Sequence, residues 1–134
     1  MWLNFKSMPV VLKFLTFHAL ACCFFLVGSI VPHNSFSMDG KTVSYAVWWS
    51  LGVGAVASVI GIILPLAGFL LLKKYSYARP TYIAALVIAF ISPAGFVSFS
   101  NYGFDYYAPS FVLVLAISAY LYFRKPVKEY FAST

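Results

Sequence analysis

Four long stretches without a charged side chain alternate with short polar or basic connections along this chain. Each stretch is close to, or longer than, the roughly 20 residues that a helix needs to cross the hydrocarbon of a membrane. We therefore predict membrane-spanning helices at about residues 10–31, 45–72, 81–99 and 106–123. The second is longer than one crossing needs, so we expect it to tilt or to project at its ends. Pro65 inside it removes one backbone hydrogen bond and favours a kink.

The composition indicates a membrane protein and leaves little chain for a second domain. Hydrophobic residues make up 63% of the sequence and charged residues 9%, with a mean hydropathy of +0.90. Soluble domains carry about 25% charged residues, so most of this chain is too apolar to face water. We expect one all-α domain over residues 1–134, an integral membrane four-helix bundle.

The basic residues predict the orientation of the bundle. Eight of the nine Lys and Arg residues precede the first span, join the second to the third, or follow the fourth. Only Lys41 lies in a connection on the other side. Because cytoplasmic loops carry the excess of Lys and Arg, both termini are expected in the cytoplasm. We interpret the formal charge of +6 as a topology signal and expect no nucleic-acid partner.

The first outer connection carries a turn signal. The pair Asp39-Gly40 separates two short stretches of alternating polar and apolar residues, which is typical of a two-residue β-hairpin turn. We expect either a small hairpin in which Phe36 faces Val43, or a plain loop. Tyr45 and the tryptophans that follow it predict an aromatic belt at the outer interface, in preference to a ligand-stacking site.

The tail after the last span, "FRKPVKEYF", mixes basic and aromatic residues. Such a segment suits a short amphipathic stretch on the cytoplasmic leaflet, with its basic side towards anionic headgroups. A frayed tail is the alternative, and the sequence does not separate the two.

The stretch "HALACCFFLVGS" contains the two cysteines of the chain. A lipoprotein cleavage site is disfavoured because the residues after either cysteine stay apolar for two further turns. A zinc site is disfavoured because His18 and Cys22 are only two ligands where about four are needed. We interpret Cys22 and Cys23 as small apolar packing residues, and we expect no metal and no cofactor.

His18 is the one ionisable residue well inside a predicted span. It either forms a hydrogen bond to a neighbouring helix or acts functionally by relaying protons or binding substrate, and we favour the structural role because no span contains a carboxylate. Small multidrug-resistance transporters have a similar size but depend on a glutamate in the first span, and this chain has none there. No Ser-His-Asp set, HExxH motif or phosphate loop is present, so we expect no enzymatic activity.

Small residues in the second span predict a close helix contact. Gly54, Gly61 and Gly68 recur at helical spacing together with Ala57 and Pro65, and such a stripe permits close backbone approach. We expect this stripe to pack against the more polar side of the first span. That side consists of His18, Cys22, Phe25 and Ser29. Dimerisation through the glycines is the alternative.

Span three contains "ISPAGF", in which Pro93 frees a backbone carbonyl that Ser92 or a water would satisfy. A kinked helix end near the outer surface is the simpler interpretation. The functional alternative is a broken helix that lines a substrate cavity.

Three segments carry a resemblance to known proteins: the Pro-led first span "KSMPVVLKFL", the basic loop "LLLKKYSYARPTYIAAL" and the tail "YFRKPVKEYF". With four spans in this layout, the chain resembles small uncharacterised bacterial inner-membrane proteins. The resemblance implies location and topology and carries no activity.

We therefore expect a multi-pass protein of the bacterial inner membrane that acts through helix–helix contacts, as an accessory, assembly or immunity-type protein. Its expected partners are the lipid bilayer and either another membrane protein or a second copy in a homodimer. The alternative is a small dimeric transporter that uses His18 and the region of Pro93.

Overall fold

The computed structural model describes residues 2–33, 36–38, 41–96 and 104–132, and it describes side chains for residues 2–33, 36–37, 41–90 and 107–132. The chain is helical along most of its described length. Its elements are α1 (Trp2–Ser7), α2 (Val10–Ala21), α3 (Cys23–Ile30), β1 (Ser37–Met38), β2 (Lys41–Thr42), α4 (Tyr45–Ser50), α5 (Val53–Lys73), α6 (Ala78–Phe96), α7 (Phe104–Phe123) and α8 (Lys125–Ala132). The predicted all-α class is confirmed, with one small hairpin added.

Helices α2 and α3 form one nearly continuous apolar segment. Pro9 has φ −55° and ψ 147°, which suits the residue before a helix and separates α1 from α2. At Cys22 the backbone N–H donates to the carbonyl oxygens of both His18 and Ala19, and this local tightening marks the boundary between the helices. Taken together, Val10–Ile30 is long and apolar enough to cross a membrane.

The long second stretch is divided into two helices by a turn at Leu51 and Gly52. Gly52 has a φ of 77°, a left-handed conformation that glycine adopts without steric cost. The side chain of Ser44 accepts a hydrogen bond from the Val47 N–H and caps α4. The surplus length of this stretch therefore forms a short separate helix. Helix α5 then runs unbroken through Pro65 and is also long and apolar enough to cross a membrane.

The last two helices meet at a bend of 58°. Helix α7 ends at Phe123, and Pro126 lies in the first turn of α8, where a missing N–H removes no intrahelical bond. If α7 and α8 count as one bent span, three segments of the described chain satisfy the length and hydropathy of a membrane span, and otherwise two do.

Helix α5 is the centre of the bundle, because α2, α3 and α6 all pack along it. Helix α7 packs against α6 and α8. The core contains apolar residues from each of these helices except α3. Its buried members include Leu12, Leu15, Ala19, Cys22, Leu64, Ala67, Leu71, Tyr82, Ala85, Leu86, Leu121, Val127 and Tyr130.

The predicted hairpin is confirmed. Strands β1 and β2 pair antiparallel with Ser37 opposite Thr42, and the Val43 N–H donates to the Phe36 carbonyl oxygen at 2.9 Å. Phe36 and Val43 therefore face each other as the alternation predicts. The turn residues Asp39 and Gly40 lie outside the described residues.

Candidate functional site

Two glycines of α5 form its close contact with α2 and α3. A Cβ atom at Gly68 would lie 2.9 Å from the Cβ of Ala19 and 3.3 Å from the Thr16 carbonyl oxygen. A Cβ atom at Gly61 would overlap the backbone nitrogen of Leu26 and lie 2.7 Å from its Cβ. Carbon atoms in good contact are about 3.5–4.0 Å apart, so neither position has space for a side chain. Both glycines therefore pack against other helices of the same chain.

Gly54, the third glycine of the stripe, faces a different element. A Cβ atom there would lie 2.8 Å from Cδ2 of Trp49 and 2.9 Å from Cδ1 of Trp48. The absence of a side chain at Gly54 lets both indole rings of α4 lie against the start of α5. The stripe therefore combines a helix–helix contact with an aromatic contact.

The structure corrects the predicted contact face of the first span at His18. Its side chain is exposed on α2, and so is that of Phe25 on α3, whereas Cys22 and Ser29 are buried. The buried side of this segment consists of apolar residues at helical spacing. These are Leu12, Leu15, Ala19 and Cys22. Because successive residues of a helix point about 100° apart, placing Ala19 inward turns the adjacent His18 away.

The last carbonyl groups of α3 are satisfied by side chains from outside the helix. Trp49 Nε1 donates to the Ser29 carbonyl oxygen at 3.1 Å, and the Tyr45 hydroxyl donates to that of Ile30 at 3.2 Å. His33 Nε2 lies 3.1 Å from the Gly28 carbonyl oxygen. Since the last carbonyls of a helix have no intrahelical partner, these three contacts hold the hairpin end of the bundle together.

Phe36 lies at the centre of this hairpin end. Its ring is buried and stacks on His33 with centroids 4.0 Å apart, and it contacts the Trp48 ring at 4.9 Å. Tyr45 and the two tryptophans are half-buried in this cluster. Their contacts give these aromatic residues a role in tertiary packing beyond the predicted interfacial belt.

Helix α8 contacts the end of α5, so the tail is helical and not frayed, while its placement on a leaflet stays a prediction. Val127 is 0% exposed and Tyr130 is buried. The Tyr130 hydroxyl donates to the carbonyl oxygens of Leu71 and Leu72 at 3.3 and 3.5 Å. Burial raises the pKa of Tyr130 to about 12, so the hydroxyl stays protonated and remains a donor. The tail is ordered, and its apolar side packs on the protein.

Two cations, one at the end of α5 and one in the first turn of α6, lie on the rings of α8. Lys74 Nζ is 4.7 Å from the centroid of the Tyr130 ring, and Arg79 Cζ is 4.8 Å from that of Phe131. The two rings are themselves in edge contact at 5.1 Å. A cation over an aromatic face keeps its charge while its position is restricted. We call this end of the bundle, with α1, the α5–α6 turn and α8, the basic end.

Helix α7 is the least packed of the long helices. Among its described side chains, Leu121 is the one that is buried, while Val112 and Leu115 are 65% and 68% exposed. A shallow apolar groove of about 560 Å³ runs along this helix. It is lined by Ala108, Pro109, Val112, Leu113 and Ala116. Two of the lining residues, Ala108 and Ala116, are small.

Helix α6 continues through the "SPAG" segment to Phe96. The side chains of Ser92 and Pro93 lie outside the described part of the chain, so their predicted roles stay predictions. Among the residues that are described, no three His, Cys, Asp or Glu residues form a group suited to a metal ion.

Sequence reasoning missed the two tyrosines that join distant helices. Tyr82 of α6 is 0% exposed, and its hydroxyl donates to the Leu15 carbonyl oxygen at 3.4 Å. Tyr130 makes the corresponding contact between α8 and α5. Tyr82, Ala85 and Leu86 do recur at helical spacing in the sequence. The residues around them are also apolar, however, so the pattern does not show which tyrosine is buried.

Comparisons of the chain with protein-family models, curated proteins and solved structures find no match.

Proposed function

We propose that this chain is a multi-pass protein of the bacterial inner membrane, a four-helix bundle with both termini in the cytoplasm. In this proposal it is not an enzyme and acts through helix–helix contacts as an accessory, assembly or immunity-type protein. The large apolar side chains exposed on every long helix support a lipid surrounding.

The distribution of charge between the two ends supports the proposed orientation. Asn4 Nδ2 donates to the Leu72 carbonyl oxygen at 3.2 Å, so α1 and α8 both lie at the end of α5 that carries Lys73 and Lys74. Lys41 belongs to the hairpin at the other end. The positive-inside rule then favours a cytoplasmic basic end.

Reporter fusions test this orientation. A periplasm-active reporter should be active when it is inserted between Ser35 and Lys41 and inactive when it is fused after Thr134. A cytoplasm-active reporter should give the reverse pattern. Activity of the same reporter at both positions would contradict an even number of crossings.

The observation that carries the proposed mode of action is the exposed groove of α7. Small residues at helix interfaces in membranes allow close backbone approach and dispersion contact. Gly61 and Gly68 are already used for this purpose inside the chain, whereas Val112 and Leu113 in the groove of α7 are exposed within the described part of the chain. We therefore assign the groove to a transmembrane helix of another membrane protein.

A photoreactive amino acid at Val112 should cross-link a partner in intact cells, and the same group at Leu66 on α5 is the control. Leu66 is 59% exposed and lies on a different helix from the groove. The variant Ala116→Leu should weaken co-purification at least tenfold because its side chain fills the groove, which corresponds to about 1.4 kcal/mol. The matched variant Ala84→Leu, at an exposed alanine of α6, should have no effect.

Three results would contradict this mode of action. They are equal cross-linking from Val112 and Leu66, equal loss with Ala84→Leu, and cross-linking only between two differently tagged copies of this chain. The last result would assign the groove to a homodimer.

A further inference from the structure

We propose that the basic end binds anionic phospholipid headgroups through the exposed cations at and just before α8 and through Lys74 and Arg79, which lie at the end of α5 and the start of α6. This inference rests on the proposed membrane location but not on the proposed partner of α7. It assigns the headgroup contact expected of the tail to a surface that also includes Lys74 at the end of α5 and Arg79 of α6.

The first argument is the orientation of α8. Its apolar residues Val127 and Tyr130 are buried against the bundle, so they are not free to anchor the helix in the acyl region of a leaflet. The basic residues at this helix point the other way, because Lys128 of α8 and Arg124 just before it are exposed and the Lys125 side chain is 87% exposed. Attachment through this surface is therefore electrostatic, unlike that of an interfacial helix whose apolar side enters the lipid.

The second argument is that the protein orders part of this surface before any ligand arrives. The contacts of Lys74 with Tyr130 and of Arg79 with Phe131 place cations from the end of α5 and the start of α6 directly beside α8. Arg79 also lies 5.5 Å from the ring of Tyr122, near the end of α7. The cations thus belong to one surface made by three elements. Restricting long side chains in advance reduces the entropy lost on binding.

The third argument is the imbalance of charge. Eight of the nine basic residues lie on the side of the basic end, and Glu129 is the one acidic side chain there. Glu129 is 3.8 Å from Lys125 in an exposed i,i+4 pair, so it offsets one cation at most. Cations crowded on one surface repel each other, and a bound anion relieves that repulsion. Cytoplasmic leaflets contain anionic lipids, and each Lys or Arg near such a surface contributes about 1 kcal/mol.

The test measures lipid affinity with the purified full-length protein in a mild neutral detergent. Short-chain phosphatidylglycerol is titrated as the anionic probe, phosphatidylcholine as the zwitterionic probe and inorganic phosphate as the soluble anion. We expect phosphatidylglycerol to bind and phosphatidylcholine to bind at least tenfold more weakly. Raising the salt from 50 to 500 mM should remove most of that preference, because the exposed charges are then screened.

Two matched lysine variants locate the site. Lys128→Gln on α8 should weaken phosphatidylglycerol binding roughly fivefold, and adding Arg124→Gln should bring the loss to roughly 25-fold. Lys41→Gln, at an exposed lysine of the hairpin end, should leave the affinity unchanged. Melting curves without lipid serve as the folding control, because all three positions are exposed and should tolerate glutamine.

Several outcomes would overturn the proposal. Equal affinity for the two lipids, or an equal loss with Lys41→Gln, would show that the basic end is not the site. Competition by inorganic phosphate at the same concentration as phosphatidylglycerol would assign the surface to a soluble anion. Because the measurement contains no partner protein, these results are independent of the cross-linking at α7.

Discussion

Gly61→Leu is expected to lower the free energy of unfolding by about 3 kcal/mol, the upper end of the range for overpacked cores. The added Cβ would meet the backbone nitrogen, Cα and Cβ of Leu26. Backbone atoms cannot rotate away as the end of a flexible side chain can, so α3 and α5 must move apart. Thermal unfolding of the purified protein in detergent should show a clearly lower midpoint.

Gly28→Leu is the matched control on α3. No heavy atom lies within 4 Å of the position where a Cβ would be at Gly28. Leucine is the better helix former by up to about 1 kcal/mol, so this variant should be neutral or slightly more stable. Leu70→Ala, a truncation near the far end of α5, should also cost less than Gly61→Leu. Unchanged or raised stability of Gly61→Leu would show that the contact of α3 with α5 is wrong.

Tyr82→Ala is expected to destabilise the bundle by about 3–5 kcal/mol, as truncations of large buried aromatic residues do. Tyr82 is fully buried, and its ring packs in the core while its hydroxyl reaches the Leu15 carbonyl oxygen. Truncation leaves a cavity where α6 meets α2 and α5. Urea or thermal unfolding in detergent, followed by tryptophan fluorescence, should show the loss.

Two further tyrosine variants separate packing from hydrogen bonding. Tyr82→Phe keeps the ring and removes a hydrogen bond of 3.4 Å, so it should cost no more than about 1 kcal/mol. Tyr77→Ala removes a ring that is 53% exposed just before α6 and should cost much less than Tyr82→Ala. Equal effects of Tyr77→Ala and Tyr82→Ala would place Tyr82 outside the core.

The helical class and the small hairpin followed from the sequence because both depend on local patterns. Long apolar stretches have few alternatives to a helix, since a buried backbone must satisfy its own hydrogen bonds. Alternation on either side of Asp39-Gly40 predicted the facing pair of Phe36 and Val43. Glycines at helical spacing likewise predicted a close contact of α5, because only a residue without a side chain permits such an approach.

Which face of each helix turns inward was decided by the tertiary structure. Helix α2 is apolar on nearly all sides, so its periodicity does not single out one face, and the polar side that includes His18 was a poor guide. Its neighbours select Leu12, Leu15 and Ala19 for the core because these side chains fit against α5. The hydrogen bond from the Tyr130 hydroxyl to the Leu72 carbonyl oxygen also depends on the tertiary structure, because these two residues are 58 positions apart and meet only in the folded bundle.

By itself, then, the sequence determined the helical class and that two or three segments of the described chain are long and apolar enough to cross a membrane, because hydropathy and local hydrogen bonding act over one or two turns. The tertiary structure decided that Gly61 and Gly68 are used inside the chain, that α8 docks on α5, and that the groove of α7 stays open. These features depend on the shapes of surfaces far apart in the chain. Apolar side chains of similar hydropathy differ in shape, and close packing distinguishes shapes that a hydropathy pattern treats as equal.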